Sequence, residues 1–350
     1  RNELALEIAE ALELPEALSH GLNTKALILQ GHGRRHEAGL LFRYALEVAL
    51  ANDLSEAALR AYNNLAGHAE VHSRLREALE LFRSMSELAR RVGDRESTIT
   101  ADTSTARALV GLGEWDEAMA VLDEHRAEDG TSGTRVRLAT VAFWPHLVRG
   151  EVDEARRSYE DFAAFADPSD LQDAAVVGYL DVFLSLAEGR PADAVAAAQR
   201  VLATPFGIGQ WTGVAGVEVG LEAATSVGDM ALVDDLLSRI EALPPGHISP
   251  QLRVLGARFG AHRAAARRDA ATADAGFRAA AALLRELELA FDLALVELEH
   301  AEWLTAEGRS DEAVELLDEA RPTFERLRAA PYLDRLERTA RRTSEEVVVE

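Results

Sequence analysis

The chain has 350 residues, 48% of them apolar, and its 37 basic against 60 acidic side chains give a formal charge of -23. That balance opposes the phosphate attraction on which direct nucleic-acid binding depends, and the apolar content is too high for a disordered chain. Cysteine is absent, which excludes disulfides, thiolate catalysis and cysteine zinc sites.

Residues 1–14 contain NELALEIAEALE, whose apolar spacing predicts a helix. The segment has neither an initiator methionine nor the apolar core of a signal peptide, so we read it as the second helix of a truncated repeat at a cut end. From there a turn signature recurs: a glycine, three variable residues, an acid and an alanine. It stands as GRRHEA ending at Ala38, GEWDEA at Ala118, GEVDEA at Ala155, GRPADA at Ala194 and GRSDEA at Ala313. Weaker copies are SRLREA at Ala78, GDMALV at Val233 and RDAATA at Ala273, and successive copies lie 40, 40, 37, 39, 39, 40 and 40 residues apart. A fixed period of this size marks a repeat array. The glycine ends one helix and the acid opens the next, where a carboxylate complements the helix dipole, so the unit is a helical hairpin.

The register predicts an all-α chain of about eight hairpins, at 16–53, 54–93, 95–128, 133–166, 169–203, 210–243, 248–288 and 290–329, then a capping helix at 331–343 and a tail at 344–350. Four and seven residues after each signature alanine stand mostly apolar residues, among them Phe42, Phe82, Leu122, Phe277 and Met85, Phe162, Ile240, with His125 as an exception. Twelve before stand Ala26, Ala66, Ala106, Phe143, Val182, Leu221, Ala261 and Ala301, which share a face with room for a close neighbour. Pro15, Pro168, Pro205, Pro244, Pro245, Pro250 and Pro331 fall between hairpins, Pro191 opens a helix, and Pro145 and Pro322 should kink the helices that hold them. No apolar run is long enough for a membrane span, and a cytoplasmic location is expected.

The glycines of GIGQWTGVAGVEVG, residues 207–220, raise the question of a phosphate loop. A dinucleotide fingerprint requires a preceding strand, and DAVAAAQRVLA before it is an amphipathic helix; Thr212 also stands where the third glycine is needed. We read residues from about 210 onward as the first helix of the sixth hairpin, with Gly213, Gly216 and Gly220 on one face for close packing, at about 1 kcal/mol of helix propensity each. Such a weak helix is the place where the array would bend. The single lysine, Lys25, lies in GLNTKA, which is no nucleotide-binding setting, and no cofactor is expected.

Residues 61–94, AYNNLAGHAEVHSRLREALELFRSMSELARRVGD, resemble a tetratricopeptide repeat through Tyr62, Leu65, Ala66, Ala78 and Phe82, with a longer period than that family's. The resemblance implies a right-handed superhelix, an α-solenoid, with contacts mainly between neighbours. ALEIAEALELPEALSHGLNTKALIL, GRRHEAGLLFRYALEVALANDLSEAALRAYNNLA and FDLALVELEHAEWLTAEGRSDEAVELLDEARPTFERLRAAPYLDRLERTARR are similar to the C-terminal repeat region of large bacterial signalling ATPases, which join such an array to a cyclase or a LuxR-type DNA-binding domain. Neither a cyclase nor an ATPase is visible in this chain.

Candidate sites are few. His32 and His36, and His68 and His72, are each one helical turn apart, and His32 and His72 are one repeat apart, but the motif that makes such a pair a zinc site is not matched and no metal site is assigned. No nucleophile elbow exists, and paired acids carry little information in so acidic a chain, so no catalytic residue is assigned. In tetratricopeptide superhelices the first helix of each hairpin lines the concave side. Asn23 and Asn63 hold equivalent positions there, and Asn64 matches an asparagine that such domains use to hold a peptide carboxylate, although Leu27 and Thr100 stand where the rest of that clamp would be. Asn23, Tyr62, Asn63 and Asn64 are therefore the partner-groove candidates.

Two functions are compatible with this reading. One is a non-catalytic interaction or scaffold array of a larger bacterial signalling protein, whose partner is a protein, a peptide or other domains of the same chain. The other is an effector-sensing array that binds a small ligand in its groove, which aromatics and arginines gathered on the first helices would favour. Trp115, Trp144, Trp211 and Trp303 share no repeat position, which leans toward the first.

Overall fold

The computed structural model describes residues 1–126, 132–167, 169–204, 211–244 and 246–349, without the side chains of 126, 132–137, 211 and 345–349. Its helices are α1 (Asn2–Ala11), α2 (Pro15–Gly31), α3 (Arg35–Ala51), α4 (Ser55–Val71), α5 (Leu75–Val92), α6 (Arg95–Leu112), α7 (Trp115–Arg126), α8 (Ser132–Arg149) and α9 (Val152–Ala163). They continue as α10 (Leu171–Ala187), α11 (Pro191–Leu202), α12 (Trp211–Ser226), α13 (Met230–Glu241), α14 (Pro250–Ala266), α15 (Ala270–Glu286), α16 (Ala290–Ala306), α17 (Ser310–Leu327) and α18 (Ala330–Val349). Among the described residues there is no strand, and the chain is an all-α helical-repeat solenoid.

The signature works through backbone conformation. Its first residue has a positive φ in all eight copies: Gly33, Gly113, Gly150, Gly189, Gly228 and Gly308, but also Ser73 at 54° and Arg268 at 59°. A left-handed residue reverses the chain within a short turn, which is why glycine is favoured there and why the two copies that lack it carry strain. The signature acid does more than complement a dipole. Glu77, Glu117 and Glu312 each accept from an arginine of the previous repeat, Arg43 at 3.0 Å, Arg83 at 2.6 Å and Arg278 at 3.2 Å, so the second helix of one hairpin is tied through its first turn to the hairpin before it.

Burial follows the register. All eight signature residues from Ala38 to Ala313, and all eight residues twelve before them, are wholly buried. Alanine at most of these positions lets the paired helices approach, and Phe42, Phe82, Phe277 and Leu317 fill the remaining space.

The chain divides into two compact units: Arg1–Leu109 with Asp116–Asp129 and Leu243–Ser249, and Val110–Trp115 with Gly130–Ala242 and Pro250–Glu350. The first unit packs its helices around Phe42, Leu65, Phe82 and Met85. In the second unit the first helices of successive hairpins also touch: α8 with α10, α10 with α12, α12 with α14, and α16 with α18. Arg258 links α14 to α16, and α18 returns to α8, so the first helices of this unit form a closed circuit. An aromatic group at its centre joins Trp144 to Phe183 and Phe291, and Phe291 to Tyr332 and Trp115.

One expectation changes. The tail at 344–350 is instead helical to Val349, because no glycine or proline interrupts residues 332–349 and Thr343 is buried, with its hydroxyl 2.9 Å from that of Thr305. Pro15, Pro250 and Pro331 stand in the first turns of α2, α14 and α18, where a missing N–H is harmless. Pro145 and Pro322 do lie inside α8 and α17. Pro168, Pro205, Pro245, Gly207 and Gly209, and residues 127, 128 and 210 at the expected hairpin edges, lie outside the described residues. Gly213, Gly216 and Gly220 are buried on α12, and a methyl group at Gly220 would stand 2.8 Å from Leu236 and 3.0 Å from Leu202, the close approach the spacing implied.

Candidate functional site

Two of the partner-groove candidates, Asn23 and Asn63, share one register of the first helices, fifteen residues before the signature alanine, and Tyr62 and Asn64 flank it. In the first unit this register holds Asn23, Asn63 and Thr103; in the second it holds Thr140, Tyr179, Glu218, Arg258 and Leu298. The position is thus occupied by amides at one end of the array and by a phenol, a carboxylate and a guanidinium farther along.

In the first unit, Asn64 Nδ2 donates to Asn23 Oδ1 at 3.3 Å, while Asn23 Nδ2 is buried without a partner. Tyr62 packs against the core, and Asn63 is exposed. The structure therefore brings Asn23 and Asn64 together and sends Tyr62 and Asn63 to different environments. The histidines are structural in their surroundings: His68 Nδ1 lies 2.7 Å from Gln30 Oε1, and the His68 and His72 rings meet edge to face at 4.5 Å. Burial, followed by nearby arginines for His68 and by His68 itself for His72, pushes both down to about 4. His32 Nδ1 turns to the Ile28 carbonyl at 2.7 Å. Among the described residues no three potential ligands gather as a metal site would require.

In the second unit a charged network crosses three first helices. Arg258 of α14 donates through Nη1 to Glu222 of α12 at 2.6 Å, and through Nη2 and Nε to both oxygens of Glu299 of α16 at 2.6 and 2.8 Å. His262 Nε2 lies 3.0 Å from Glu299 Oε2, and Gln251 donates to Glu218 at 3.1 Å. The side chains of Arg258 and Glu299 are only 11% and 6% exposed, so charge must be balanced locally. Against the cost of burial, Arg258 and then His262 hold the Glu299 carboxyl well below the usual range, and Glu222 and Glu299 raise the guanidinium well above its own.

Two further acids have no such partner. Burial, then the charges of Asp292 and Glu222, pushes Glu218 up to about 8, against the opposing charge of Arg258. Burial likewise pushes Asp292 up to about 6. Tyr179 and Tyr332 border these groups and are raised too, chiefly by burial, Tyr332 to about 12. Glu218, Glu222, Asp292 and Glu299 lie around Arg258, and all but Glu299 keep contact with solvent. The inner register of this unit is short of positive charge.

No family model matches the chain, and no curated protein matches it. Among solved structures it is similar to a circular tandem repeat protein with novel repeat topology and enhanced subunit contact surfaces, at 18% identity over 99% of this chain and 89% of that chain, with a TM-score of 0.24.

A further buried polar cluster lies in the first unit. Asp102 accepts from Ser86 Oγ at 2.6 Å, from Arg90 Nη2 at 2.8 Å and from His125 Nε2 at 2.9 Å. Serine and histidine both turn to the acid and not to each other, so the trio is not arranged as a nucleophile with its base. No helix among the described residues is long and apolar enough to cross a membrane.

The sequence reading took this register only at its asparagines, Asn23 and Asn63. Continuing the fifteen-residue offset through all eight copies would have found Tyr179, Glu218 and Arg258; Glu299, one residue beyond that offset, required the structure.

Proposed function

We propose that the chain is a non-catalytic interaction array that holds a basic protein segment on the first helices of its second unit. The observation that carries this reading is the imbalance there: four acids, Glu218, Glu222, Asp292 and Glu299, surround Arg258, and burial raises Glu218 and Asp292 even against the charge of Arg258, so both would gain from a further cation. A lysine or arginine side chain from a partner would supply it. The chain's formal charge of -23 favours the same kind of partner at long range. The resemblance to bacterial signalling ATPases makes another domain of the same protein, or a protein it signals to, the natural source.

A second reading, an effector-sensing array for a small organic cation, draws on Trp144, Tyr179 and Phe183, which gather on α8 and α10 close to these acids. Titration of the purified chain with an arginine-rich peptide and, separately, with tetramethylammonium distinguishes the two. Salt-sensitive peptide binding that weakens in Glu218→Gln with Glu222→Gln supports the interaction array. Tight binding of the small cation alone, or measurable nucleotide hydrolysis or cyclase turnover, would sink it.

A further inference from the structure

α1 stands one period of 40 residues before α3, so Ala5 and Ile8 hold the register of Ala45 and Val48, and of Met85 and Leu88 in α5. Those four side chains are buried, whereas Ala5 is exposed and Ile8 is 48% exposed. Leu4 and Leu12 extend Ile8 into a stripe with one residue per helical turn, and both are more than half exposed. The other side of α1 is seated. Ala9 is buried, Asn2 Nδ2 donates to the Gly21 carbonyl at 3.1 Å, Lys25 Nζ donates to Glu3 at 3.1 Å, and a methyl group at Gly21 would stand 2.6 Å from Leu6. The stripe is therefore the open face of a helix that α2 holds in place. Most of the large apolar side chains exposed among the described residues lie between Leu4 and Leu50, so the open apolar surface gathers in this part of the first unit.

The rest of the array shows what such a face receives. Leu22 of α2 forms one buried cluster with Ala45 and Val48 of α3, and Leu18, one turn before Leu22, packs against it. A helix with two apolar side chains at i and i+4 is thus the shape this register accepts, and α1 offers the register uncovered. Charge narrows the choice. Glu3, Glu7 and Glu10 follow one another at i, i+4 and i+7 along one edge of the stripe, and α1 carries no lysine or arginine. A second copy docked through α1 would bring these acids toward their own counterparts, which opposes pairing, whereas a basic edge on the incoming helix would complement them.

We propose that the open face of α1 docks one amphipathic helix of a partner protein, apolar toward Ala5 and Ile8 and basic toward Glu7 and Glu10, seated on α1 as α2 is seated on α3. Burial of Leu4, Ile8 and Leu12 supplies the affinity, and the basic edge sets the orientation and disfavours self-pairing. The face belongs to the first unit and does not depend on the acidic register of the second.

The test is fluorescence anisotropy of a labelled 17-residue helical peptide, the length of α2, with leucines at i and i+4 and lysines along one edge, titrated with the whole chain. The peptide should bind saturably, more weakly as salt rises, and about tenfold more weakly to Ile8→Asn, the loss expected for one buried aliphatic side chain. Ile8 is exposed, so this variant should melt as the parent does, which circular dichroism checks. Phe165→Asn, which removes a similarly exposed apolar side chain from the second unit, should bind the peptide as the parent does. The proposal is overturned if a peptide of the same composition in scrambled order, or one with glutamates for the lysines, binds equally well, if Ile8→Asn binds as the parent does, or if sedimentation finds a dimer of the chain that Ile8→Asn dissociates.

Discussion

Arg258 and Glu299, 41 residues apart, form a two-pronged ion pair in which Nη2 and Nε each reach a separate carboxylate oxygen. It fastens α14 to α16, and with Glu222 it extends to α12. Because both side chains are nearly buried, removing one partner strands the other in a poorly solvated place. Glu299→Ala should destabilise the second unit by about 3 kcal/mol, the usual cost of breaking a buried pair. Urea unfolding measures this, and an unchanged midpoint would show that water already solvates Arg258. Replacing Arg258, Glu222 and Glu299 together by apolar residues of similar size should cost less, since the ion network is then removed as a whole.

Partner binding should depend on pH in a defined direction. Glu218 is raised to about 8 by burial, Asp292 and Glu222, with Arg258 opposing, so it is largely protonated at pH 7 while Asp292, raised to about 6, is largely ionised. A bound cation favours the carboxylate. Binding of an arginine-rich peptide should therefore release protons and tighten as pH rises from about 6 to about 8. Titrations in buffers of different ionisation enthalpy report the released protons. Without a partner the sign reverses: a raised carboxyl contributes stability below its unfolded pKa, which is lost as pH climbs through the folded value.

His68 and His72 set an acid limit for the first unit. Both are pushed down to about 4 from 6.5, so the unfolded chain takes up protons first. Their contribution to stability is complete above pH 6.5 and declines as pH falls from there toward 4. Replacing both by glutamine should flatten the stability–pH curve in that window. Thermal unfolding followed at several pH values checks it, and an unaltered slope would assign the acid sensitivity to other groups.

The left-handed turn positions make a prediction about strain. Ser73 and Arg268 adopt φ values of 54° and 59° at a register where six copies use glycine. Ser73→Gly and Arg268→Gly should each stabilise the chain by about 0.5–1 kcal/mol, and Gly308→Ala should destabilise it by about 1 kcal/mol, following the cost of a left-handed conformation for residues with a Cβ. Melting temperatures decide this, and equal melting for all three variants would remove the signature's conformational explanation.

What the sequence by itself determined is everything carried by the period. Signature residues with their turns, alanines twelve residues upstream and apolar side chains four and seven downstream all follow from spacing along a helix, and burial at these positions agrees from Ala38 to Ala313. These are contacts between neighbouring helices, so local order suffices to read them. The end of α18 was missed because TSEEVVVE has a polar start, while the burial that holds it depends on Thr305, which lies 38 residues before Thr343.

Only the tertiary structure decided which residues share charge. Asn23 and Arg258 hold the same register, yet one is a buried amide beside Asn64 and the other the centre of an ion network. That difference arises because side chains from α12, α14 and α16 meet in the second unit, where Glu222 and Glu299 reach Arg258 from either side. His125 is the same lesson at smaller scale. Its spacing marks a core position, and only folding shows that one ring nitrogen is satisfied by Asp102 while the other has no partner. Periodicity reports which face a residue occupies; the electrostatics of that face depend on what the rest of the chain brings to it.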